Sequence, residues 1–255
     1  MKRAAFSFLS LSLGISVLGA HRSTPIAASK PLPARPLERA AGSLARALAA
    51  VMPRATTTLS TDAGDVDRAA LRKKVRREAT GTYISDILLE RDSSVARWPD
   101  RHGVPLTVWI QPRSSVPDFE PGFVTQVREA FEQWDALHLP VRFSFVDDSA
   151  HAEVHVRWID HFDEPISGRT RWSRDDDWLI TDGNIILAVH HYQGELLDED
   201  AMRAMALHEI GHLIGLDHTT DTLSIMAPRV RVRSLSDADR ATARLIYSLP
   251  AGPLN

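Results

Sequence analysis

The chain has no cysteine among its 255 residues. Disulfides are therefore excluded, and so is a lipid anchor on an N-terminal cysteine. The compartment stays open on this ground alone, because exported proteins also do without cysteine. Neither charge sign dominates: 30 Lys and Arg face 33 Asp and Glu, a formal net charge of -3. That balance gives no electrostatic case for nucleic acid and no general attraction to anionic membranes. After the first 20 residues no segment is long and apolar enough to span a bilayer. Internal repeats are absent as well. Apolar residues make up 44% of the chain, which permits one well-packed domain plus additional segments.

The N-terminus addresses the protein. Lys2 and Arg3 precede the apolar, Ser-rich run Ala4 to Leu18, and Gly19-Ala20 offers small residues for cleavage. Residues 1–20 are expected to be a secretory signal peptide. The mature protein would then be periplasmic or extracellular, with no stable membrane association after cleavage. An uncleaved anchor is the alternative, and the run is short for one. Residues 21–80 are expected to be a low-complexity linker or pro-segment. Pro25, Pro31, Pro33, Pro36 and Pro53 punctuate an Ala- and Thr-rich sequence with few large apolar residues. Leu37 to Met52 would be at most a marginal helix. Asp67 to Ala79 carries Arg68, Arg72, Lys73, Lys74, Arg76 and Arg77, a basic helix face that is either solvated or a patch for a membrane surface or partner.

Residues 81–255 carry the patterns of a folded domain. Leu106 to Ile110 reads as a strand ended by Pro112. Pro121 suits a helix start, and Phe123, Val127, Ala130, Phe131 and Trp134 repeat at helical spacing. Val141 to Phe145 and Val154 to Trp158 alternate like half-buried strands. Ile185 to Val189 reads as another strand, and a fifth is expected to be short, near Arg171 to Ile180. A helix follows from about Asp200, with Asp198, Glu199 and Asp200 suited to its positive end. The last helix starts at Ser236, with Asp239 completing a capping-box-like pair. Helices and strands alternate only in part, so the expected fold class is α+β with a mixed sheet.

One segment concentrates chemistry. His208-Glu209-Ile210-Gly211-His212-Leu213-Ile214-Gly215-Leu216-Asp217-His218 spells H-E-x-x-H-x-x-G-x-x-H, with five fixed identities in eleven residues. Residues four apart share a helix face, so His208 and His212 can point two imidazoles at one metal ion. Gly215 lets the chain leave the helix through a conformation that side chains disfavour, returning His218 as a third ligand. Three imidazoles leave a fourth zinc position open, the arrangement of a catalytic site rather than a closed structural one. Glu209 is the expected general base and then acid, acting on a zinc-activated water. Met226, in Ser224-Ile225-Met226-Ala227-Pro228, stands eight residues after His218.

This combination resembles the metzincins, in which such a Met-turn lies beneath three histidines. It narrows to the matrixins, the family of matrix-metalloproteinase catalytic domains. The run from His208 to Thr219, the stretch Leu235 to Arg240, and Phe123 to Trp134 are similar to that family, over about residues 100–250. The resemblance implies a metzincin catalytic domain with a twisted five-stranded sheet, an active-site helix and a C-terminal helix. It implies a zinc endopeptidase acting on protein or peptide; secretion is expected from residues 1–20, and a monomer is expected. The substrate would lie as an added strand beside Ile185 to Val189 as the edge strand. Arg229, Arg231 and Arg233, near the pocket after the cleaved bond, are a solvated face or a preference for acidic substrates.

The sequence also departs from the family. Many matrixins hold a structural zinc; here His161 and Asp163 match the start of that set, Val189 replaces a histidine, and the last has no counterpart. His151, His155, His190 and His191 read as surface or strand histidines. Asp175-Asp176-Asp177 and Asp182-Gly183-Asn184 offer oxygens to calcium or form a solvated acidic loop. Many matrixins are kept latent by a propeptide cysteine, a device this chain cannot use. Gly81 to Asp92, with Asp86, Glu90 and Asp92, is expected either to lie in the cleft and offer the zinc a carboxylate, or to be a tether. A non-catalytic or latent metzincin-fold binding module is the alternative to an active enzyme.

Overall fold

A computed structural model describes residues 67–254; the expected signal peptide, the segment up to Val66 and the Leu37 to Met52 helix lie outside them. Helix α1 (Arg68–Glu78) is capped by Asp67, whose side chain accepts from Ala70 N. It exposes its basic side and rests Leu71 and Val75 on the core. Helix α2 (Ile84–Glu90) follows, then the short strand β1 (Ser94–Val95).

Strand β2 (Leu106–Ile110) alternates buried and half-buried residues. Helix α3 (Gly122–Asp135) buries Phe123, Val127, Ala130, Phe131 and Trp134, the stripe its helical spacing predicts. Strand β3 (Phe143–Phe145) is shorter than expected, starting two residues after Val141. A single 3-10 turn (Ser149–His151) leads to β4 (Val154–Ile159). Then come β5 (Gly168–Arg174), β6 (Ile180–Ala188), helix α4 (Glu199–Leu213), helix α5 (Asp237–Tyr247) and β7 (Gly252–Pro253). β1 and β7 form a small antiparallel pair.

The main sheet has the order β3-β2-β4-β6-β5. Its first four strands are parallel and β5 runs antiparallel to β6. This is the α+β fold with a mixed five-stranded sheet, and it corrects two expectations. Ile185 to Val189 is not an edge: β6 is paired with β4 on one side and β5 on the other. The fifth strand is not a short piece near Arg171 to Ile180 but the seven residues of β5, which form the edge. The physical signals agree. Ile185-Ile186-Leu187-Ala188 is a continuous apolar run, as interior strands have. β5 carries Arg169, Arg171 and Arg174, charges that protect an open edge.

Register decides what meets α4. Val156 pairs with Ile185, and Ile185 with Thr170; Trp158 pairs with Leu187, and Leu187 with Gly168. Side chains alternate across strands, so Gly168 and Thr170 share the inner face with this apolar row. α4 lies against that face and buries nearly every side from Leu207 to Leu213. Two indoles lock it: Trp134 Nε1 donates to Leu207 O at 3.0 Å, and Trp98 Nε1 to Leu213 O at 2.9 Å. Among the described residues no helix is long and apolar enough to cross a membrane.

Candidate active site

α4 starts on Asp198, whose carboxylate accepts from Ala201 N at 2.6 Å, with Glu199 and Asp200 at its positive end. Its last turns carry His208, Glu209 and His212. The helix stops at Gly215, with φ +98°. Gly215 N donates to His212 O at 3.0 Å and Leu216 N to Gly211 O at 2.9 Å, which satisfies the end carbonyls as a glycine C-cap does. A Cβ on Gly215 would also overlap the Ala96 carbonyl oxygen. Glycine is needed there twice, for the backbone angle and for the contact.

The exit turns the chain back and brings His218 to the helix pair. The three Nε2 atoms stand 3.1 Å (His208–His212), 3.2 Å (His212–His218) and 3.3 Å (His218–His208) apart. Zinc–nitrogen bonds of about 2.0–2.1 Å at tetrahedral angles separate the nitrogens by roughly 3.3 Å. Three converging Nε2 atoms at that spacing fit one zinc ion. His208 Nδ1 lies 2.7 Å from Ile225 O, and His212 Nδ1 lies 3.2 Å from Leu216 O. A proton on each Nδ1 leaves the Nε2 lone pair for a metal. Burial holds the His208 ring at a pKa of about 4, far below the ordinary histidine value. Burial, with His208 and His218 adjacent, keeps His212 well below it too. Both rings are neutral at physiological pH, as ligands must be.

Beneath the histidines, Met226 is fully buried. Its sulfur packs so closely on Gly211 that a Cβ there would meet it. The turn that carries Met226 is tied down by Asp239. That carboxylate accepts from Ile225 N at 3.1 Å, Ser224 Oγ at 2.5 Å, Ser236 N at 2.7 Å and Tyr83 OH at 3.1 Å. One residue thus caps α5 and, through Ile225, fixes the carbonyl under His208. The sequence pointed only to its capping role.

Glu209 is buried, 3% exposed. Burial raises its pKa to about 7, against the opposing hydrogen bond from Thr170. Thr170 Oγ1 lies 2.6 Å from Glu209 Oε2 and 2.9 Å from Glu209 O. Nothing in the sequence singled out Thr170. Its signal is the register of β5 on β6, which needs the structure.

Other expected residues lie elsewhere. Among the described residues, His208, His212 and His218 form the one group of three with metal-ligating spacing. His161 Nδ1 contacts Asp160, and His190 is held between Asp160 at 2.6 Å and Asp118 at 3.2 Å. His151 meets Asp148, His155 packs edge-on against Trp109, and His191 meets Ser167. Asp175 is used by its own turn, accepting from Asp177 N and Leu179 N. Arg233 reaches Asp198 and Asp200, while Arg229 and Arg231 are exposed. The expectation that Gly81 to Asp92 lies in the cleft is corrected. Tyr83, Ile84 and Ile87 are buried in the core, and Asp86 accepts from Thr219 Oγ1 rather than joining the histidine cluster. The apolar spacing of this segment outweighs its carboxylates.

A three-histidine cluster shared by a helix and the loop after it, with a buried methionine packed on that helix, fits a metzincin-type zinc site. Residues 98–248 match the matrixin family model, and the chain belongs to that family of zinc metallopeptidases. Similar proteins include metalloendoproteinase 1-MMP of Arabidopsis thaliana, 29% identical over 43% of this chain and 32% of its own length. Matrix metalloproteinase-C of Caenorhabditis elegans is 26% identical over 63% of this chain and 28% of its own. Metalloendoproteinase 1 of Glycine max is 22% identical over 53% and 49%. The chain therefore spans between about a quarter and a half of the length of these relatives.

Proposed function

We propose that the chain is a secreted zinc endopeptidase. His208, His212 and His218 hold the metal, Glu209 is the general base and acid, and Gly215 and Met226 shape and support the site. A zinc ion held by the three imidazoles would supply Lewis acidity and make the attacking water more acidic. Glu209, buried and next to His208 on the helix, would take a proton from the attacking water and pass it to the leaving amine. Thr170 holds that carboxylate in place. The open edge of β5 offers backbone groups to an extended peptide, so affinity would come largely from main-chain pairing. Arg229 and Arg231, exposed in the segment that follows the Met226 turn, would favour acidic groups on the leaving side. Secretion rests on the composition of residues 1–20.

The observation that carries this reading is the set of three imidazole nitrogens at zinc-ligand spacing, with the buried Glu209 following His208 on the same helix. The test is digestion of an unfolded protein and of a blocked peptide by the full chain with zinc, beside Glu209→Gln. Internal cleavage should fall on the order of 10²–10⁴-fold in the variant, with zinc retained. Equal cleavage by both, or hydrolysis of esters without peptides, would remove the assignment.

A further inference from the structure

The third histidine is held differently from the other two. His218 is exposed, and among the described residues its ring makes no bond to a backbone carbonyl like those of His208 and His212. Its position depends on its neighbours, and both are gripped from one upstream segment. On one side, Arg91 Nε lies 2.7 Å from Asp217 Oδ2. The same guanidinium donates to Gly215 O at 2.9 Å and Leu216 O at 3.3 Å, and it lies over the Trp172 ring at 5.4 Å. On the other side, Thr219 Oγ1 donates to Asp86 Oδ2 at 2.9 Å.

The segment does not need these contacts to stay in place. Ile84 and Ile87 are fully buried, and Tyr83 N bonds Thr242 Oγ1. Arg91 and Asp86 therefore reach from a fixed base to a loop. Arg91 suits the task because its planar fork can serve two carbonyls and a carboxylate together, which a lysine cannot. Both residues precede the family-matched span 98–248.

We propose that Arg91 and Asp86 are positioning residues that bracket His218, so that zinc affinity depends on the segment upstream of the matched domain. The proposal rests on the zinc-site reading above. It also sets a limit on processing: a cut before Tyr83 leaves the site intact, and a cut beyond Arg91 dismantles it.

The test measures the zinc dissociation constant of the full chain by chelator competition, with the melting of the metal-free protein as a folding check. Arg91→Ala and Arg91→Lys should weaken zinc 10- to 100-fold, the cost typical of outer partners of ligands. Asp86→Ala should weaken it less, and Asp86→Asn, which keeps an acceptor oxygen, should restore it. Arg142→Ala breaks a more exposed bidentate pair with Asp135 at the β3 end of the sheet, and should leave zinc affinity unchanged. Unchanged affinity in Arg91→Ala and Asp86→Ala, or an equal loss in Arg142→Ala, would overturn the proposal. If Arg91→Ala does not fold, the Asp86 pair decides: recovery with Asn supports bracketing, and loss or retention alike in Ala and Asn refutes it. Failure of the zinc reading itself would look different, because the unsubstituted chain would then bind no zinc.

Discussion

The histidine cluster has a helix half and a loop half. His208 and His212 lie one helical turn apart on α4, which is packed on nearly all sides, and each ring has its own carbonyl partner. His218 is exposed, on a loop whose course is set by Gly215, by the bond from Thr219 N to Met226 O at 3.1 Å, and by upstream side chains. The helix pair inherits its order from the helical repeat. The loop ligand has to be placed by residues distant in sequence. One half is therefore preorganised by local structure, and the other by tertiary structure.

The largest effects should come from deleting ligands. His212→Ala should retain no zinc through dialysis, while His218→Ala should keep weak binding by the preorganised helix pair. Zinc titrations showing equal affinities, or the reverse order, would break the comparison. Next, Met226→Ala, which empties the floor shared by both halves, should lose roughly 2–5 kcal/mol in denaturant unfolding. Met226→Leu should lose less than about 1.5 kcal/mol; a larger loss would mean that the sulfur does more than fill space.

Glu209 gives a pH-dependent effect of intermediate size. In metal-free protein its folded pKa is about 7, against 4.5 for the ordinary carboxyl. Between these values the folded protein keeps a proton that the unfolded chain has released. Stability therefore falls as pH rises through that window, by about 3 kcal/mol. Glu209→Gln lacks this term, so its stability relative to the unsubstituted protein should rise by about that amount from pH 4.5 to 7, then level off. The histidine contributions are common to both proteins and cancel. A pH-independent difference would contradict the burial of the carboxylate.

Smaller still, Thr170→Val should cost ~1–3 kcal/mol by removing a hydrogen bond to a buried group, and should lower turnover without releasing zinc. Smallest is Arg142→Ala, whose pair is partly exposed and should be worth under ~1 kcal/mol.

The helix half was legible because its chemistry repeats at a spacing that one helix enforces. Gly215 and Met226 were legible through the same local motif, and the α3 stripe, Ser236 cap and β2 through their periodicities. The edge of the sheet was not assigned correctly. The cue was present: the apolar run of β6 marks an interior strand and the arginines of β5 mark an edge, yet the order β6-β5 depends on pairing, which spacing does not encode. Thr170, Arg91 and the second role of Asp239 were illegible for a related reason. Thr170 and Glu209 are 39 residues apart, and Arg91 and Gly215 are 124 apart. Such contacts exist only once the chain has folded. Gly81 to Asp92 misled because its carboxylates suggested ligands, while Tyr83, Ile84 and Ile87 fix it in the core.

The most direct measurement is zinc X-ray absorption on the full chain, with metal content determined on the same sample. The account predicts one zinc per chain, bound by three imidazole nitrogens at about 2.0–2.1 Å and one further light atom in the open position. A fourth protein ligand in a closed site, two imidazoles only, or a folded protein without zinc would contradict it.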